Sequence, residues 1–104
     1  MDRIALYRDY LQKKPTDRFA MYSLAFELKK AGRVAEAEAA FRALLAQHPD
    51  SGAGHLQLGT LLEEDGRDDE AQAAWEAGLA ALQGLTDADA LRSRGEIQTA
   101  LDLL

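Results

Sequence analysis

Residues 18–51 read RFAMYSLAFELKKAGRVAEAEAAFRALLAQHPDS, and residues 52–85 read GAGHLQLGTLLEEDGRDDEAQAAWEAGLAALQGL. Laid one beneath the other, the two strings coincide at a shift of 34 residues. Leu24 falls on Leu58, Ala25 on Gly59, Leu28 on Leu62 and Gly32-Arg33 on Gly66-Arg67. The match continues with Glu36-Ala37 on Glu70-Ala71, Ala40 on Ala74, and Phe41 on Trp75. A fixed period of this length marks stacked supersecondary units, none of which buries its apolar face alone.

Each unit reads as two helices. Met21, Leu24, Ala25 and Leu28 stand at i, i+3, i+4 and i+7, one face of a helix. Gly32 ends that helix, because it takes a left-handed backbone at little cost. A second helix places Ala37, Ala40, Phe41 and Leu44 on one face and stops at His48-Pro49. Pro49 has no N–H to give, and its ring clashes with the preceding turn. The next unit repeats the order: Leu58, Gly59, Leu61 and Leu62, then Gly66, then Ala71, Ala74, Trp75 and Leu82. Small residues at Ala25, Gly59, Ala37 and Ala71 let paired helices approach, while Phe41 and Trp75 fill the space between pairs.

The register extends beyond both ends of this core. Shifting Phe41, Leu45 and Pro49 back by the same interval lands on Tyr7, Leu11 and Pro15. Residues 2–13 therefore read as the second helix of an unfinished leading repeat. Residues 87–104 read as a capping helix with Ala90, Leu91, Ile97, Leu101 and Leu104 inward, and Arg92, Arg94, Glu96 and Asp102 as its polar face. Gly95 weakens its middle by about 1 kcal/mol relative to Ala. The expected architecture is one all-α domain over residues 1–104, with about six helices in antiparallel pairs.

Composition agrees. The chain has 104 residues and is 47% hydrophobic, dominated by Ala and Leu, with only Ile4, Val34 and Ile97 as β-branched apolar residues. That balance excludes most sheet-containing folds. There is no cysteine, hence no disulfide framework or thiolate chemistry. No apolar run reaches membrane-spanning length, and the Met-Asp-Arg start is not a signal peptide. The net charge of −6 is the wrong sign for a nucleic-acid groove. The expected setting is the cytoplasm, with neither membrane nor nucleic acid as partner. Charge is uneven: the first half is slightly basic, and residues 52–104 carry three basic against eleven acidic side chains. Such a gradient permits head-to-tail contact or steering of a basic partner.

The two in-phase units resemble the tetratricopeptide repeat, with Leu24, Ala25, Gly32, Ala37, Phe41 and Pro49 in one and Leu58, Gly59, Gly66, Ala71 and Trp75 in the other. Among members of that family, the chain is similar to small, stand-alone, bacterial-type proteins. Departures are Met21 and His55 at the usual first aromatic, Leu28 and Leu62 at the second, and Gln83 where the closing proline belongs. The resemblance implies a right-handed α-solenoid whose first helices line a concave groove for a peptide or helix. One variant of the family clamps a terminal carboxylate with Lys and Asn in that groove. Tyr22, Phe26 and Gln57 stand at the matching places here, so that clamp is missing.

Catalytic and metal motifs are absent or incomplete. There is no phosphate-binding glycine loop, serine elbow or cysteine nucleophile, so no catalysis and no cofactor are expected. The run from Glu63 to Glu70 lacks calcium-loop ligands at Leu61 and Gln72. His48 and His55 have no third partner at a metal-ligand spacing. The string ending His48-Pro49-Asp50 resembles the helix and turn of J-domain co-chaperones. However, its helix is electrically balanced, with Arg33 and Arg42 against Glu36 and Glu38. The remaining carboxylates fall on exposed faces, where no pKa perturbation is expected.

Phe19, Tyr22 and Phe26, spaced i, i+3 and i+7, stand beside the Met21-Leu24-Ala25-Leu28 face. A helix normally buries one stripe, so this one is the candidate binding surface, unless Leu6, Tyr7, Tyr10 and Leu11 cover it. Tyr22, Phe26 and Lys29-Lys30 of the first unit become Leu56, Thr60 and Glu63-Glu64 of the second, with Gln57 beside them. A groove so lined runs from aromatic and basic to small and acidic, which orients a bound peptide. The expected function is non-catalytic binding of a protein or peptide. The second reading is a homodimer through the N-terminal face, and a distant third is co-chaperone action through His48-Pro49-Asp50.

Overall fold

The computed structural model describes residues 2–104, which hold six α-helices joined by short turns. These are α1 (Arg3–Lys13), α2 (Arg18–Lys30), α3 (Val34–Gln47), α4 (Gly52–Glu64), α5 (Asp68–Leu82) and α6 (Ala88–Leu103). Every expected helix is present, including the leading one and an uninterrupted α6 across Gly95. The chain gathers into two compact units, one ending at His48 and the other spanning Pro49–Leu104.

Local chemistry sets the boundaries. Asp2, Asp17, Ser51 and Asp87 cap α1, α2, α4 and α6, their side-chain oxygens accepting from backbone N–H groups of the first turn. α2 and α4 end in the same device. The Arg33 N–H donates to the Leu28 carbonyl at 3.0 Å and the Gly32 N–H to the Lys29 carbonyl at 3.0 Å. Arg67 and Gly66 repeat this onto Leu62 and Glu63 at 2.8 and 2.9 Å. This double closure requires a left-handed residue, which Gly32 (φ 75°) and Gly66 (φ 77°) supply. Each arginine then pairs with the glutamate three residues on, Arg33 with Glu36 and Arg67 with Glu70. The repeated Gly-Arg-x-x-Glu-Ala string is therefore a helix stop, a turn and a helix start in six residues.

In the first unit the core comprises Ile4, Ala20, Ala25, Leu28, Ala37, Phe41 and Leu44. In the second it comprises Leu58, Leu61, Leu62, Ala71, Trp75, Leu82, Ala90 and Ile97. Gly59 sits against the indole of Trp75: a Cβ there would lie 2.0 Å from Trp75 Nε1. The indole N–H donates to the Leu56 carbonyl at 3.1 Å, so the large ring is both packed and satisfied.

α6 departs from expectation at two residues. Leu91 is 51% exposed and Leu104 40% exposed, not inward. α6 packs on α4 and α5 through a narrow stripe centred on Ala90 and Ile97, and Leu91 lies about 100° round the helix from Ala90.

Candidate functional site

The aromatic stripe of α2 divides. Tyr22 and Phe26, one turn apart, stack with ring centroids 6.0 Å apart and planes inclined by 18°. Tyr22 also presents an edge-on contact to Phe41 of α3 at 6.2 Å. The Lys30 ammonium lies 5.8 Å from the Phe26 ring centre and 3.6 Å from Glu27. Both rings are half-buried. They form a hydrophobic ledge, anchored at the Phe41 end and edged by a cation at the other. Burial pushes the Tyr22 hydroxyl above its ordinary pKa.

Phe19 does not join that ledge. It is 73% exposed and lines a separate cleft between α1 and α2, about 370 Å³ in volume, with Leu6, Tyr7, Tyr10, Asp17 and Ala20. The first helix was the candidate cover for the stripe, yet Leu6 and Tyr10 are each 48% exposed. The reason is that Ile4 is α1's one buried residue, which leaves the Leu6–Tyr10 side of the helix outward.

In the second unit, Leu56 of α4 joins Leu91, Arg92, Gly95, Glu96 and Thr99 of α6 along an open groove of about 550 Å³. The contribution of α6 was not read from the sequence. One more step of 34 residues carries Leu56 onto Ala90, which identifies α6 as another first helix whose outward residues belong beside Leu56. Gln57 and Thr60 are half-buried on α4, and the Thr60 hydroxyl donates to the Leu56 carbonyl at 2.9 Å. Glu63 and Glu64 are exposed at the end of α4. Lys29 is half-buried on α2 and Lys30 exposed.

Both imidazoles are engaged with backbone. His48 Nε2 donates to the Thr16 carbonyl at 2.7 Å, and the buried His55 Nε2 to the Pro49 carbonyl at 2.8 Å. One carboxylate corrects the expectation of unperturbed acids. Glu36 accepts from Arg33 at 2.8 Å and from Arg8 at 2.7 Å, and these two guanidiniums hold its pKa below the ordinary value. The triad ties α1 to α3 at the surface.

Among the described residues, no helix is long and apolar enough to cross a membrane. No curated protein matches the chain. A family model described as tetratricopeptide repeat matches residues 28–95, from the last turn of α2 into α6. Repeats of that kind generally mediate protein–protein interaction. With the match covering well over half the chain and the repeated glycine, small and aromatic positions where the helix pairs need them, the chain belongs to the tetratricopeptide repeat family.

Proposed function

We propose that the protein is a non-catalytic binding module that holds a peptide or helix of a partner protein against the outward faces of its first helices. The observation that carries this reading is the Tyr22–Phe26 ledge with Lys30 beside it. Two stacked rings left partly exposed on one helix offer an apolar contact whose side chains are already ordered, at small entropic cost. Lys30 favours an acidic group beside the apolar anchor. The α4–α6 groove offers a more polar surface, in which Leu56 and Leu91 are the apolar contacts. Glu63 and Glu64, close to it in sequence on α4, would favour basic side chains in a ligand bound to that unit.

The test compares wild type with Tyr22→Ala and Phe26→Ala in affinity capture from native extract, with circular dichroism on each protein. Proteins retained by wild type and lost by both variants at unchanged helix content support the ledge as anchor. Equal retention by all three would remove it.

A further inference from the structure

Three helices of the chain occupy the same place in the repeat register, and one of them differs. On α5, Ala71, Trp75, Gly78 and Leu82 form the stripe that faces the first helix of its pair, and all four are buried. On α3 the matching residues are Ala37, Phe41, Leu44 and His48, the first three buried and the last half-buried. In each pair a helix covers this stripe. α4 accepts the indole bond of Trp75, and α2 sets Tyr22 against Phe41. On α1 the same positions hold Arg3, Tyr7, Tyr10 and Lys14. There three of the four places are open, with the Arg3 side chain 68% exposed, Tyr10 48% exposed and Lys14 exposed, while Tyr7 is half-buried and neighbouring Leu6 is 48% exposed.

We propose that the α1–α2 cleft is a second docking surface, and that its occupant is a partner's amphipathic helix with an apolar centre and a carboxylate at each end. The shape follows from the other two pairs, where a helix lies on this stripe. The chemistry follows from the substitutions. Three of the four end residues on α3 and α5 are small or apolar (Ala37, Ala71, Leu82) and suit a neutral neighbour at close range, the fourth being His48, which bonds the Thr16 carbonyl. Arg3 and Lys14 instead bracket the aromatic centre with cations about 16 Å apart along the helix. Lys13 adds a third charge beside Lys14. Arg3 lies 3.7 Å from Glu27, and Asp17, which lines the cleft and accepts from the Ala20 N–H as a helix cap, leaves the cations at the two ends in excess over it. A second copy of the chain docking by the same face about a two-fold axis would oppose cation to cation, which disfavours that occupant.

The surface adjoins the Tyr22–Phe26 ledge, since Arg3 and Lys30 share Glu27, and its test therefore leaves Tyr22, Phe26 and Lys30 in place. The probe is a fluorescein-labelled stapled helix, with Leu and Ala on one face and two glutamates spaced as Arg3 and Lys14 are. A control peptide carries lysines at the two places. Fluorescence anisotropy with the full chain at low salt is expected to show the glutamate peptide binding at least about tenfold tighter than the lysine peptide. Arg3→Glu with Lys14→Glu should invert that preference. Leu6→Ser with Tyr10→Ser should weaken the glutamate peptide about tenfold or more at unchanged helix content, and Phe19→Ser provides the same readout at a more exposed position. Equal binding of the two peptides would overturn the proposal. So would unchanged binding by the serine variants. Sedimentation showing a wild-type dimer that Leu6→Ser with Tyr10→Ser dissolves would reassign the face to a second copy, and would equally overturn it.

Discussion

α5 and α1 occupy equivalent places in the repeat and meet opposite fates. Trp75 is sealed by Gly59 and bonded to Leu56, whereas Tyr7, its counterpart two periods earlier, is half-buried beside an open cleft. Register alone therefore does not decide burial. It decides which residues point toward the neighbouring first helix. Burial then depends on the neighbour and on the end residues, small and apolar at Ala71 and Leu82, charged at Arg3 and Lys14.

The largest test of that contrast is to empty the ring position on each helix. Trp75→Ala should cost roughly 3–5 kcal/mol in urea unfolding, from lost burial and the cavity left behind. Tyr7→Ala should cost less, roughly 1–2 kcal/mol, since that ring is half-buried beside an open cleft and not sealed as Trp75 is. Equal costs would erase the contrast. Next comes the seal itself. Gly59→Val must displace the indole that a Cβ would overlap, and should cost about 1–3 kcal/mol with a red shift of Trp75 emission.

How much was legible follows from these same residues. Gly32, Gly66, Phe41 and Trp75 were readable because the register states each role twice, and the helix boundaries follow from caps and turns encoded within a few residues. Leu91 and Leu104 were misassigned because α6 buries so little that its apolar residues do not mark one face. The aromatic stripe was readable as a stripe but not as two sites. Spacing puts Phe19, Tyr22 and Phe26 on one side of α2, while Phe41 on another helix decides that Tyr22 is anchored. The short buried edge of α1 decides that Phe19 is open. The Glu36 triad was hidden for a similar reason, because Arg8 reaches it from 28 residues away.

Smaller effects sharpen the contrast from the α1 side. Leu6→Ser with Tyr10→Ser should change unfolding free energy by no more than about 1 kcal/mol in total, as surface substitutions do. A loss as large as that of Trp75→Ala would mean the cleft is closed in solution. The smallest effect belongs to Glu36. Its folded pKa lies below the unfolded value, so the stabilisation is present above the unfolded pKa and disappears as pH falls through the folded one. At low salt, wild type should melt slightly above Glu36→Gln at neutral pH, and the two should converge under acid conditions. Added salt should close the gap at neutral pH, since the carboxylate is exposed. A gap that widens in acid would reverse the assignment.

The central claim is that the Tyr22–Phe26 ledge serves binding while the Phe41 and Trp75 positions serve folding. Urea unfolding of Phe26→Ala beside Trp75→Ala, with partner capture measured on the folded Phe26→Ala protein, tests it most directly. The account predicts a loss of about 1 kcal/mol for Phe26→Ala together with lost capture, against a loss several times larger for Trp75→Ala. A Phe26→Ala protein as destabilised as Trp75→Ala, or one that captures partners as wild type does, would contradict it.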